Sequence, residues 1–89
     1  MNERVFYTRS ALKDLALLDK NIARRIIDKL SWFSDQKNPL RFAKRLKQPF
    51  NDLYRFRIGD YRVIFELGKK QEYKILIILR IKYRRDVYG

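Results

Sequence analysis

The 89-residue sequence predicts an α+β domain: a short amino-terminal strand and a two-helix hairpin, then a three-stranded antiparallel meander completing a small twisted sheet with the helices on one face. Three observations carry that prediction. Apolar residues recur at helical spacing between residues 10 and 33, and the period changes to two from Leu53 onward. Hydrophobic residues make up 46% of the chain, ample for one core although 36% is charged. No repeat, linker or low-complexity tract divides residues 1–89, and the length suits a single domain.

Residues 4–8, Arg-Val-Phe-Tyr-Thr, are β-prone and read as the first strand. Ser10 is placed to cap a helix with Leu12, Leu15, Ala16 and Leu18 along one side. A second helix starts near Asp19, with Ile22, Ile26, Leu30 and Phe33 on one face and Arg24, Arg25, Asp28 and Lys29 elsewhere on its surface. Asn38-Pro39 ends it. Residues 40–49 carry four basic residues and no acid, are closed by Pro49, and suit a short helical turn.

In the carboxy-terminal half Tyr54, Phe56 and Ile58 alternate with Arg55 and Arg57, and Tyr61, Val63, Phe65 and Leu67 with Arg62, Ile64 and Glu66. Gly59-Asp60 between them suits a type II′ two-residue turn, which pairs Ile58 with Tyr61, Arg57 with Arg62 and Phe56 with Val63. In the last strand Tyr73, Ile75, Ile77 and Leu79 alternate with Lys74, Leu76, Ile78 and Arg80. A three-residue Lys69-Lys70-Gln71 loop sets Val63 against Ile77, Phe65 against Ile75, Glu66 against Lys74 and Asp60 against Arg80.

Lysine and arginine number 22 against 10 acidic residues, a formal charge of +12 that favours polyanionic partners and salt-sensitive binding. Cysteine and histidine are absent, which removes disulfides, thiolate nucleophiles, the ordinary zinc sites and the usual neutral-pH base. No metal or other cofactor is expected. The amino terminus, MNERVFYTRS, has no apolar stretch fit for a signal peptide, and no segment nears the ~20 apolar residues of a membrane span. The expectation is a cytoplasmic protein with no membrane partner.

The predicted hairpin sets Arg57 against Arg62, with Arg55 on the same face and Arg80, Lys82 and Arg84 of matching parity. Like charges directly across a sheet destabilise it. A cluster of guanidinium groups suits phosphate, through paired hydrogen bonds and permanent charge. The competing reading is a solvated face that maintains solubility, which lysine and glutamate would serve without the repulsion. Tyr83 and Tyr88 are placed either to stack on bases or donate a phenol proton, or, in the plainer reading, Tyr83 to finish the core of its strand and Tyr88 to pack on the sheet.

Two runs resemble the RelE/ParE toxins of bacterial toxin–antitoxin pairs. Leu53-Tyr-Arg-Phe-Arg-Ile-Gly-Asp-Tyr-Arg-Val-Ile-Phe65 resembles their signature hairpin, and Leu79-Arg-Ile-Lys-Tyr-Arg-Arg-Asp-Val-Tyr88 their carboxy-terminal motif. The two-helix amino-terminal half and the stretch Ala43-Lys44 to Leu46-Lys47 fit as well. The resemblance implies a compact RelE-like fold and an mRNA interferase, a metal-independent endoribonuclease that cuts messenger RNA, commonly on the ribosome, and so blocks translation. In that chemistry the RNA 2′-hydroxyl attacks the adjacent phosphate and leaves a 2′,3′-cyclic end.

Carried over by position, Arg62 stabilises the pentacoordinate phosphate, Arg55 and Arg57 hold the backbone and support proton transfer, and Arg84 adds a phosphate contact. Tyr88 stacks on a base or orients the nucleophile. Where many members have glycine–histidine this chain has Lys82-Tyr83, which leaves Lys82 or Tyr83 for the acid–base role. Lys44, Lys47, Arg80 and Arg85 are the further candidates for binding RNA. The resemblance also implies a cognate acidic antitoxin as partner. Two rivals remain: a ParE-like toxin that inhibits DNA gyrase and cleaves nothing, and a nucleic-acid-binding module without chemistry.

Overall fold

A computed structural model describes residues 3–86. Strand β1 (Val5–Tyr7) leads into helix α1 (Arg9–Ala16) and, after a tight link, helix α2 (Lys20–Ser34). A 3-10 turn at Pro39–Phe42 precedes the two-residue strand β2 (Lys44–Arg45). Strands β3 (Tyr54–Ile58), β4 (Tyr61–Lys70) and β5 (Tyr73–Tyr83) form the meander, and Arg84–Asp86 makes a closing 3-10 turn. The five strands lie in the order β1-β5-β4-β3-β2. The α+β class and the placement of the helices on one face are as the sequence predicts. Among the described residues no helix is long and apolar enough to cross a membrane.

The core lies between the helices and one face of the sheet. Ala11 and Leu15 from α1, and Ile26, Leu30 and Phe33 from α2, meet Phe56, Ile58, Val63, Phe65, Leu76, Ile78 and Ile81. Stacked rings run through it: Phe33 on Phe56 at 4.1 Å between centroids, and Phe56 on Phe65 at 4.2 Å. The face of α2 is the one read from the sequence, and Asp19 caps the helix by accepting a hydrogen bond from the Asn21 amide. Tyr7 points into the same layer, where burial, assisted by the Asp28 charge, pushes its phenol up to about 12. It stays neutral under ordinary conditions.

Helix α1 corrects the sequence reading. Its cap is Thr8, not Ser10: the Thr8 hydroxyl oxygen accepts from the Ala11 amide and donates to the carbonyls of Ile78 and Leu79. The two-residue shift turns the helix so that Ala11 and Leu15 are buried while Leu12 and Ala16 face solvent. Thr8 wins the cap because a single side chain also ties the helix start to β5, a contact invisible in the local sequence.

The first hairpin has the expected register, with Ile58 opposite Tyr61, Arg57 opposite Arg62 and Phe56 opposite Val63. Gly59 takes φ +59°, as the first central position of a type II′ turn requires. The second hairpin differs. Lys70 pairs with Tyr73 across a two-residue Gln71-Glu72 turn, with Gln71 at φ 56° in place of a three-residue loop. Leu79 is then left over as a bulge, since Phe65 faces Ile78 and Ile64 faces Arg80. Val63 therefore meets Ile81, not Ile77; Phe65 meets Ile78, not Ile75; and Glu66 meets Ile77, not Lys74. Asp60 pairs with Arg84 rather than Arg80. Residues 75–79 are apolar on both faces, so alternation cannot say which set is inward, and the bulge then reverses the phase.

Two strand pairings have no hairpin to announce them. β1 lies parallel to β5, Phe6 facing Ile77, and β2 extends the other edge, Lys44 facing Arg55.

Candidate functional site

The side of the sheet away from the helices is where the cations gather. Alternation along β3 and β4 that sends Phe56, Ile58, Val63 and Phe65 into the core sends Arg55, Arg57 and Arg62 the other way. The bulge at Leu79 then fixes which residue of β5 joins them. Lys82 stands opposite Arg62, which stands opposite Arg57, so three cations form one row across three strands. Without the bulge that row would break.

Arg62 is the centre of the arrangement. Only 9% of it is exposed, and its Nη1 donates to the carbonyls of Tyr61 (3.1 Å) and Gly59 (3.4 Å). Desolvation, then repulsion from Arg57, Arg55 and Arg84, holds its guanidinium below the ordinary arginine range, with Asp60 opposing. Arginine does not release its proton near neutrality, so burial first and the neighbouring cations second make this retained charge costly to hold.

Arg55, Arg57 and Arg62 open onto a cleft of about 470 Å³, whose other wall is Arg41, Phe42 and Lys44. β2 brings Lys44 beside Arg55, and the 3-10 turn before it brings Arg41 and Phe42. Arg41 and Phe42 were not singled out in the sequence. The density of basic residues over 40–49 was the available signal, but only the pairing of β2 with β3 aims that segment at Arg55.

The remaining expected site residues divide. Arg84 follows β5 and approaches Arg62 closely enough to repel it, with Asp60 at 3.8 Å and its own amide on the Asp60 carbonyl at 2.8 Å. Lys47 and Arg85 are exposed, in the β2–β3 connection and the closing turn respectively. Arg80 is engaged elsewhere: Nε and Nη2 hold Asp14 of α1 at 2.9 and 3.1 Å, and the Ile81 amide bonds the same carboxylate at 2.8 Å. Tyr83 lies opposite Tyr61, the two rings edge to face at 5.6 Å. Alternation puts it on the side of Ile81, opposite to Lys82, so it does not join the arginines. Tyr88 lies outside the described residues.

Chemically, the cleft can hold a phosphodiester between several fixed positive charges. Phosphate oxygens match the guanidinium fork, and partly desolvated charges act more strongly than solvated ones.

Comparison with known proteins bears on the family and the fold. Residues 5–88 match a family model described as the ParE toxin of the type II toxin–antitoxin system parDE. Toxin RelG of Mycobacterium tuberculosis is 29% identical over 84 residues, which cover 94% of this chain and 93% of that protein. Among solved structures, the toxin–antitoxin complex RelBE2 of Mycobacterium tuberculosis aligns with a TM-score of 0.73 at 26% identity, over 94% of this chain and 100% of the matched one. The archaeal RelE–RelB complex of Pyrococcus horikoshii aligns with a TM-score of 0.67 at 29% identity, over 98% and 100%.

Proposed function

We propose that this chain, which belongs to the ParE toxin family of type II toxin–antitoxin systems, acts as an endoribonuclease that cleaves messenger RNA, at the ribosome, and thereby stops translation. The observation that carries the reading is the convergence of Arg55, Arg57 and Arg62 on one cleft, with Lys82 beside Arg62. Four cations held together at the cost of mutual repulsion are what a phosphoryl transition state needs and what solubility does not.

In this reading the RNA lies with one phosphodiester over Arg62. The 2′-oxygen forms a bond to phosphorus as the bond to the 5′-oxygen breaks. The products are a 2′,3′-cyclic phosphate and a 5′-hydroxyl. Arg62 stabilises the added negative charge of the pentacoordinate phosphorus, Arg55 and Arg57 hold the non-bridging oxygens and flanking backbone, and Arg84 adds a phosphate contact. Lys82, opposite Arg62 in the cross-sheet row, moves the proton between the 2′-hydroxyl and the departing 5′-oxygen. Tyr88 stacks on a base or orients the nucleophile. Lys44, Lys47 and Arg85 follow the strand outward. The chain's own residues suffice for this chemistry without a metal.

A cognate acidic antitoxin completes the proposal. The relatives include toxins solved with antitoxins bound, and α2 offers a complementary face: Arg24, Arg25 and Lys29 line a cleft of about 520 Å³ with Trp32. An antitoxin helix seated there, continuing over Arg55, Arg57 and Arg62, would neutralise both surfaces.

The family model is described by ParE, which favours a second reading in which the chain binds DNA gyrase and cuts nothing. Induced expression in bacteria separates the two. Early arrest of translation, with mapped RNA ends bearing cyclic phosphate, is the expected result. DNA damage with intact messenger RNA would overturn the nuclease reading in favour of gyrase.

A further inference from the structure

Phe42 has no part in the chemistry above, yet it forms the apolar wall of the cationic cleft. The residue is 44% exposed and lines the cleft. Behind, its ring centroid lies 5.2 Å from that of Trp32, edge to face, and 5.5 Å from that of Phe33, the two rings tilted, and Phe33 is held in turn by stacking on Phe56. The ring is therefore fixed by the core on one side and open to the cleft on the other. Arg41 and Lys44 flank it in sequence, two cations on either side of one aromatic.

We propose that Phe42 is a base-stacking subsite: an unpaired nucleobase of the bound RNA lies against its open face while Arg41 and Lys44 hold the flanking phosphates. The inference rests on the reading that RNA occupies this cleft, and it adds which strand form is accepted. Bases in a duplex are stacked on each other and offer no face to a side chain, whereas single strands splay theirs. Charge alone attracts both forms. The fixed ring selects the single strand, and it sets the distance from the stacked base to the phosphate held by Arg62.

The test uses the full chain and a fluorescently labelled, 2′-O-methylated single-stranded hexaribonucleotide, which has no free 2′-hydroxyl and is not cut. Phe42→Leu is expected to weaken binding roughly 5- to 150-fold, the range of one base–aromatic stack, while Phe42→Tyr binds as wild type. The slope of log K against log salt should not change in either variant, whereas Arg41→Ala should lower it by about 0.7, the value for one lost phosphate contact on a single strand. An abasic position scanned along the hexamer should weaken wild-type binding at one site by the same factor, and there Phe42→Leu should add nothing. Should Phe42→Leu melt too low to assay, the abasic scan with wild type and Phe42→Tyr decides alone. Wild-type binding insensitive to every abasic position overturns the subsite. So does a Phe42→Leu loss of equal size on duplex RNA. A wild-type chain that does not bind the hexamer, or binding unaffected by Phe42→Leu, overturns this inference, while the mapped RNA ends after induction decide separately the reading it rests on.

Discussion

Replacing Arg62 separates a catalytic charge from a structural one, because the structure lets both costs be weighed. Arg62 stands between Arg57 and Lys82 in the cross-sheet row. Adjacent strands lie ~4.8 Å apart, and long side chains splaying from them put the charges about 6–8 Å apart, a repulsion of roughly 2–3 kcal/mol per pair at an effective dielectric near 20. Exposure of the neighbouring cations and ionic screening reduce the sum over both pairs to about 1 kcal/mol. Opposing it, the hydrogen bonds from Arg62 to the Tyr61 and Gly59 carbonyls contribute about 1 kcal/mol net, the longer one adding little. The two effects nearly cancel. Arg62→Ala should thus melt within about 4–8 °C of wild type, the equivalent of 1 kcal/mol for a domain this size. The comparison should favour the variant at low salt and wild type at high salt, as screening removes the repulsion but not the hydrogen bonds. RNA cleavage should fall about 10²–10³-fold, the usual cost of one preorganised charge contact. Melts across a salt series and single-turnover cleavage of a defined RNA measure the two sides. Cleavage within tenfold of wild type would refute the catalytic role, and a melting loss much beyond 8 °C would show that Arg62 holds the fold.

Three further outcomes are expected. Asp14 is raised by burial but lowered more by the Arg80 and Ile81 hydrogen bonds and by the Arg80 and Lys82 charges, so its folded carboxyl titrates below the unfolded value near 3.8; its stabilisation is whole above that value and is lost as pH falls through the folded one. Asp14→Ala should accordingly cost about 1–2 kcal/mol at neutral pH, and the gap in denaturant midpoint should close on acidification below pH 4. An unchanging gap would show that the carboxylate charge is irrelevant. Gly59→Ala forces a side chain onto φ +59°, where the nearest atom to a new Cβ is Arg25 Nη1 at an ordinary 3.7 Å; the cost of about 1–2 kcal/mol is therefore backbone strain, and Gly59→Asn should lose visibly less in thermal melts. Finally, stopped-flow association with the acidic antitoxin should slow as salt rises, while the complex persists at salt that strips RNA from the toxin; association indifferent to salt would refute steering by Arg24, Arg25 and Lys29.

The parts of this molecule legible in its sequence are those set by short-range periodicity and by chemistry that does not depend on neighbours. The α2 face of Ile22, Ile26, Leu30 and Phe33, the Asp19 cap, the Gly59-Asp60 turn and the Arg57–Arg62 pairing follow from residues a few positions apart, and a charge of +12 is a property of composition alone. Tertiary structure decided the rest. Thr8 displaced Ser10 as the α1 cap through its contacts to Ile78 and Leu79, 70 and 71 residues away. The run Ile75–Leu79 is apolar on both faces, so its register was undetermined until β1 paired with one edge, Gln71-Glu72 made the turn and Leu79 bulged. That bulge is what sets Lys82 beside Arg62 and turns Tyr83 away. The cationic cleft has the same history: its arginines are written in the sequence, but its far wall of Arg41, Phe42 and Lys44 exists because a two-residue strand found the edge of β3. Such long-range choices are made by burial and pairing summed over the whole sheet, and no local window contains them.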